Sequence, residues 1–332
     1  MIAGFSTTEL LLVFWIIAAV MILAGQKTYR LIVFFTVFSL ITSLIYLFLG
    51  APDVAMAEAG ISSFATIFLI ICVEKYYHRG GVVEEVAEEV VKKRFTILKY
   101  APALVFSALL LVLFMWFVPS SYAFLELRDL YLSKFMIDIG GENAVTAIYL
   151  GYRVYDTLFE ALLLVIAAVA VIHISWYDKS TISFERHSEI ETSRMARFTL
   201  RIICPIIILF GIYLIMNGHI SAGGGFLGGL ALAAFFVCRF LVRGIYDIPV
   251  KKVMKIEELT FIGIVVFPML AIFAGLLYIS YEWTPLFQTI YLIAMNAFVG
   301  MKVACGFFVI FYRTIAVEGM PVTDNLQSPQ EG

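Results

Sequence analysis

The chain has 332 residues, of which 62% are hydrophobic and only 14% charged, and its mean hydropathy is +0.97. Soluble domains carry roughly 25% charged residues, so a water-soluble fold is excluded and a polytopic membrane protein is expected. A net charge of −2 argues against a nucleic-acid partner.

A bilayer core of about 30 Å needs roughly 20 apolar residues per helix. Nine such runs are predicted, near 8–24, 31–49, 57–77, 98–118, 156–176, 199–217, 224–243, 258–280 and 287–312. The first lacks a basic flank and a small-residue cleavage site, so it is expected to be retained as a span. With the N-terminus outside and the C-terminus inside, 18 of the 23 Lys and Arg fall in inside loops. Only Arg128, Lys134 and Arg153 fall outside. That bias follows the positive-inside rule. The expected fold is all-α, with about nine transmembrane helices in the cell membrane.

Between the runs, residues 78–97 place Val82, Val83, Val86 and Val90 at helical spacing, with Glu88–Lys92 and Glu89–Lys93 as i,i+4 pairs. They predict a short amphipathic helix on the inner side, lying on the membrane surface or on a partner. Residues 119–153 mix apolar and charged side chains and are expected to lie along the outer face, while 319–332 are expected to be disordered. The long charged loops divide the chain into modules at 1–97, 98–190 and 191–318.

Ionisable side chains inside apolar spans are functional candidates by default, because burying them is costly. Asp156 and Glu160 share one helix face at i,i+4, with Arg153 one turn earlier. This set suits cation binding or proton relay; the bland alternative is an acidic helix start favoured by the dipole. Lys302 sits too deep in the last run to snorkel, needs an acidic or water partner, and can carry protons. Around the second outer turn, Asp53 reads as either a helix cap or a site residue, while Glu58 lies within the apolar run itself. Glu257 and Glu258 read as interfacial, as does His173, and Glu9 faces the outer end of the first run.

The segment from Asn217 to Gly229 joins two runs on the outside. It lacks the Lys-Ser/Thr and the strand of a phosphate loop. Its pairs Gly224/Gly228 and Gly225/Gly229 permit close helix approach. Its consecutive glycines allow either an irregular ion-coordinating backbone or a tight packed turn, and His219 could exchange a proton there. Cys72, Cys204, Cys238 and Cys305 lie in apolar runs without a CxxC spacing and read as small buried hydrophobes. No cofactor motif and no nucleophile–base pairing is present, so the chain is not expected to be an enzyme.

Three stretches carry a family resemblance. Gly218-His219-Ile-Ser-Ala-Gly-Gly-Gly-Phe-Leu-Gly-Gly229 resembles the GH-x-x-P-GGGF-x-GG signature of the B subunit of Mrp-type multisubunit Na⁺/H⁺ antiporters, with Ala222 in place of the proline. Asn143, Val145, Ile148, Arg153, Asp156, Thr157 and Glu160 match a pattern near the C-terminal end of that family's A subunit, where Tyr149 replaces the usual Leu. The first three runs, with Pro52-Asp53-Val-Ala-Met-Ala-Glu58, resemble another small module of the same system. The resemblance implies Na⁺ and H⁺ as transported ions, other Mrp-type membrane subunits as partners, and among them a large antiporter-like subunit. That large part is absent here and the pieces are joined to a B-type module. This arrangement is similar to archaeal membrane-bound hydrogenases and their sulfur-reducing relatives, and implies a sodium-transporting section of a redox complex. A free-standing antiporter, a structural scaffold and a quinone-handling membrane anchor are the alternatives.

Overall fold

The computed structural model describes residues 7–24, 28–77, 105–113, 121–176, 194–243, 250–273 and 285–316. The expected surface helix at 78–97, most of the fourth apolar run and the tail at 319–332 lie outside the described residues. Among those described, all regular structure is helical. Thr28–Phe48, Pro52–Val73, Val154–His173, Phe198–Asn217 and Pro285–Thr314 are long and apolar enough to cross a membrane, and Thr7–Leu23 and Gly225–Arg239 are shorter apolar helices.

The chain forms two compact units. The first draws on Met1–Tyr152 with Glu282–Thr289. It contains α1 (Thr7–Ala24), α2 (Thr28–Phe48), α3 (Pro52–Tyr77), α4 (Ser121–Asp138) and the single turn α5 (Ala144–Ala147). Gly50, at φ 77°, closes α2 in the left-handed conformation, and Ala51 N donates to Tyr46 O across it at 3.0 Å. Pro52 then opens α3, where its missing N–H costs nothing and its φ is already helical. This tight turn lays α2 against α3 in antiparallel fashion.

The α2–α3 contact is polar along its length. Ser43 Oγ donates to Ala55 O at 2.6 Å, Ser39 Oγ donates to Glu58 Oε1, and the Thr36 and Thr66 hydroxyls meet at 2.8 Å. Hydroxyls that bond across helices hold membrane helices together where no hydrophobic drive exists. On the other side of α2, Trp15 Nε1 of α1 donates to Thr42 Oγ1 at 2.9 Å and its ring stacks on Phe38 at 4.8 Å.

After α4, Asn143 caps α5 by accepting from Val145 N at 2.9 Å. A π-helical turn, Ile148–Tyr152, follows. Gly151 within it has no room for a side chain, since a Cβ would lie 2.6 Å from Ile139 Cδ1.

The second unit draws on Arg153–Tyr281 and Ile290–Gly332. It contains α6 (Val154–Trp176), α7 (Arg194–Asn217), α8 (Gly225–Arg243), α9 (Val250–Phe273) and most of α10 (Pro285–Ala316). α9 begins two turns before the apolar run expected at 258–280, because Lys251, Lys252, Lys255 and the glutamates continue the helix outside the apolar window. α10 is the most enclosed helix: Leu292, Met295, Asn296, Lys302 and Phe311 are almost wholly buried. Cys305, Phe308 and Val309 of α10 pack with Val253 of α9, joined by Ile172 and Phe236.

Glycine decides how closely α8 packs. A Cβ at Gly225 or Gly229 would run into the backbone carbonyl of Asn296 or Gly300 on α10. A Cβ at Gly228 would lie 2.5 Å from Ile215 Cγ1 and 2.7 Å from Gly211 O on α7. The small-residue pairs read in the sequence therefore serve two neighbours at once.

Candidate ion-path site

The second unit places a buried cation in the middle of a hydrophobic helix. Lys302 is 0% exposed and lies on the order of 20 Å from either end of α10. An unpaired ammonium at that depth would cost several kcal/mol. Its Nζ donates to Glu257 Oε1 of α9 and sits 5.1 Å from the centroid of the Phe261 ring, one helical turn further on. The partner that the sequence required but left open is thus Glu257, a residue that reads as interfacial when hydropathy alone is considered. No sequence signal pairs the two, which are 45 residues apart.

Beside this ion pair lies a cavity of about 20 Å³, lined by Thr157, Glu160, Ala161 and Leu164 of α6, Phe226 of α8, Ile264 of α9, and Val299, Lys302 and Val303 of α10. That is room for about one water molecule. Glu160 and Lys302, two site residues named from sequence, therefore border the same small space. One turn before Glu160, Asp156 Oδ2 lies 2.5 Å from Arg153 Nη2 in an exposed i,i+3 pair. Thr157, between the two carboxylates in sequence, is 2% exposed. Among the described residues, no group of three or more His, Cys, Asp or Glu side chains could hold a tightly bound metal. The chemistry available is carboxylate oxygens and one buried ammonium, which suits a transient monovalent cation or a proton.

His219 lies in the turn between α7 and α8. It is 8% exposed, and its Nδ1 has no hydrogen-bond partner. The turn itself is compact: Ser221 N donates to Asn217 O at 3.0 Å, and Gly224 N donates to Leu214 O at 3.2 Å. Gly224, at φ 107°, takes a backbone conformation that other residues rarely adopt. Asn296 Oδ1 of α10 accepts from Gly225 N at 2.8 Å and so satisfies an amide at the start of α8.

In the first unit, Glu58 is half-buried and accepts the Ser39 hydroxyl. Asp53 lies in the first turn of α3, where its Oδ1 accepts from Asn143 Nδ2 at 3.2 Å. Asn143 thus ties the Pro-Asp segment to the start of α5. Ser39 drew no reading from the sequence, and Asn143 entered there only as a match to the A-subunit pattern. A stripe of Thr36, Ser39 and Ser43 at spacings of three and four along an otherwise apolar helix was the signal that could have found Ser39.

Long apolar helices, and a buried ion pair that bilayer physics makes costly, define a helical membrane protein with intramembrane charges. Residues 195–309 match a domain related to the MnhB subunit of Na⁺/H⁺ antiporters, and residues 13–79 match the MbhD family of MBH subunits. The chain is 28% identical over 166 residues to an uncharacterised protein of Methanocaldococcus jannaschii, covering 45% of this chain and 62% of that one. A Staphylococcus haemolyticus protein named as antiporter subunit mnhB2 is 28% identical over 82 residues, covering 25% of this chain and 58% of that one. A Staphylococcus aureus protein named as antiporter subunit mnhA2 is 26% identical over 135 residues, covering 41% of this chain and 16% of that one. The chain thus spans less than two thirds of each of these relatives.

Among solved structures, an Mrp complex from Dietzia sp. DQ12-45-1b shares the fold. Its TM-score is 0.68 at 16% identity, covering 95% of this chain and 35% of that one. The membrane-bound sulfane sulfur reductase, an archaeal respiratory membrane complex, aligns with TM-score 0.53 at 28% identity, covering 64% of this chain and 95% of that one. The chain is thus similar to Mrp/Mnh antiporter subunits, with a stretch matching an MnhB-related domain and a stretch matching the MbhD family in one polypeptide.

Proposed function

We propose that this chain contributes part of a sodium or proton path to an Mrp-type antiporter module in the cell membrane, and that the module works within an energy-conserving redox complex. The observation that carries this reading is the shared cavity of Glu160 and Lys302, within a chain that matches MnhB and MbhD domains. In this reading Asp156 and Glu160 offer oxygen ligands or relay groups for Na⁺. Glu58, oriented by Ser39, is a second carboxylate along the path, with Asp53 at its outer end. Lys302 is the switching charge, and His219 shapes the outer mouth. The chain has nine spans, N-terminus outside, in modules 1–97, 98–190 and 191–318. Catalytic redox centres, where present, are on other chains, hydrogenase-like or sulfur-reductase-like, and a large antiporter-like subunit completes the membrane part. The likeness to a sulfane sulfur reductase complex supports the redox setting. The likeness to proteins named as antiporter subunits supports a second reading, a free-standing Na⁺/H⁺ antiporter.

The test is Na⁺-driven proton movement in membrane vesicles carrying the native complex with Glu160→Gln or Asp156→Asn. Removing a charged ligand contact of about 1.5–3 kcal/mol should lower transport about ten- to hundredfold, with the complex still assembled. Normal transport in both amide variants would remove these residues from the path.

A further inference from the structure

We infer that Lys302 is a two-position switch, paired with Glu257 in one state and with Glu160 in the other, and that Glu257 is the proton-carrying pole of the exchange. The inference rests on the transport reading above and adds Glu257 to it. Three observations carry it. The Lys302 ammonium is bonded to Glu257 on α9, so the present arrangement is one definite state. The same side chain borders a space of about 20 Å³ that Glu160 on α6 also lines. The rest of the lining is apolar apart from the Thr157 hydroxyl, so an ammonium leaving Glu257 finds one other carboxylate there among the described residues.

Charge balance then couples the two ions. With Lys302 on Glu257, the Glu160 carboxylate is free to hold Na⁺. When Nζ crosses to Glu160, it displaces that Na⁺ by forming its own ion pair. Glu257 is left as a carboxylate with side-chain exposure of only 17%, where an uncompensated charge is unfavourable, and it takes up one proton from water. One Na⁺ leaves and one H⁺ enters, and the net charge of the site is unchanged. Return of Lys302 to Glu257 expels the proton and restores the Na⁺ ligand. Phe261, within cation–π range of Nζ, favours the ammonium at the Glu257 end without a second formal charge.

The experiment is a pair of double-mutant cycles on the purified native complex, combining Lys302→Met with Glu257→Gln and, separately, with Glu160→Gln. Thermal unfolding and Na⁺-driven proton transport in vesicles are read on every variant. A switch predicts non-additive Tm shifts in both cycles, because Lys302 interacts with each carboxylate in turn. It also predicts that Glu257→Gln slows transport about tenfold and adds nothing to the defect of Lys302→Met. A static structural pair predicts coupling to Glu257 alone, with Glu160→Gln strictly additive, and that outcome overturns the proposal. Wild-type transport in Glu257→Gln overturns it as well. If the wild-type complex moves no Na⁺, the transport reading fails, and the Tm cycles still decide whether Lys302 visits Glu160. Where Lys302→Met does not assemble, Lys302→Gln, which keeps a hydrogen-bond donor, takes its place in both cycles.

Discussion

Lys302 and Glu257 stabilise the second unit only as a pair. Removing one partner of a buried ion pair leaves the other charge uncompensated and costs about 3–5 kcal/mol, whereas replacing both by apolar groups of similar volume costs much less. Glu257→Met, which strands the Lys302 charge, is therefore expected to lower the yield and Tm of the complex more than the double variant Lys302→Met/Glu257→Met does. A thermal-shift measurement on the detergent-solubilised complex checks this ordering. In the first unit, Ser39 is 3% exposed and donates to Glu58. A hydrogen bond to a charged acceptor contributes about 1.5–3 kcal/mol. Ser39→Ala should raise the apparent KM for Na⁺ about tenfold or more if Glu58 lies on the path, while Ser39→Thr, which keeps the hydroxyl, should restore it. Transport kinetics in vesicles distinguish this from a purely structural loss, which would lower the amount of complex and leave KM alone.

At the scale of helices, glycine sets the spacing. A methyl at Gly229 would overlap the Gly300 carbonyl, and backbone cannot rotate away as a side chain can. Gly229→Ala is expected to destabilise the α8–α10 contact by about 1–3 kcal/mol, the usual cost of overpacking. Gly50 makes a useful contrast. Nothing lies within 4 Å of a Cβ there, so Gly50→Ala meets only the left-handed backbone at φ +77° and should cost about 1–2 kcal/mol through strain alone. Comparing the Tm of the two variants with that of Gly229→Ser, which keeps a small side chain but not glycine's flatness, separates packing from conformation. The hydroxyl seam between α2 and α3 belongs to this scale too. Thr36, Ser39 and Ser43 recur on one face of α2 and meet Thr66, Glu58 and the Ala55 carbonyl in order along α3.

For the whole molecule, the expectations concern orientation and company. Single cysteines placed near the two ends of the chain, in a background lacking the native four, should label from opposite sides of the membrane if the number of spans is odd, with the N-terminal one labelled from outside. Labelling from one side would mean an even number of spans. Purifying the complex from native membranes should bring down a large antiporter-like subunit in either functional reading. Hydrogenase-like or sulfur-reductase-like subunits would be added only if the chain serves a redox complex. The first unit's MbhD match and the second unit's MnhB match occur in one polypeptide, so a tag on either end should recover the same set of partners.

Much of this could be read from sequence because the bilayer imposes simple rules. Apolar runs of about 20 residues must become helices, since no other local structure satisfies its own backbone in lipid. A charge inside such a run must find compensation, so Glu58, Asp156, Glu160 and Lys302 stand out without any coordinates. Small residues four apart announced that α8 is closely approached. The identity of the partners was not legible, because pairing between helices depends on rotation and depth, which a one-dimensional hydropathy pattern does not contain. Glu257 looked interfacial because it starts the apolar run beside Lys255; only the packing of α9 on α10 turned it inward to Lys302. Ser39 looked like an ordinary small residue until α3 brought Glu58 opposite it. Which positions must carry charge was decided by composition and spacing, whereas which charges meet was decided by tertiary structure, because compensation of a buried charge acts over a few ångströms of space and not along the chain.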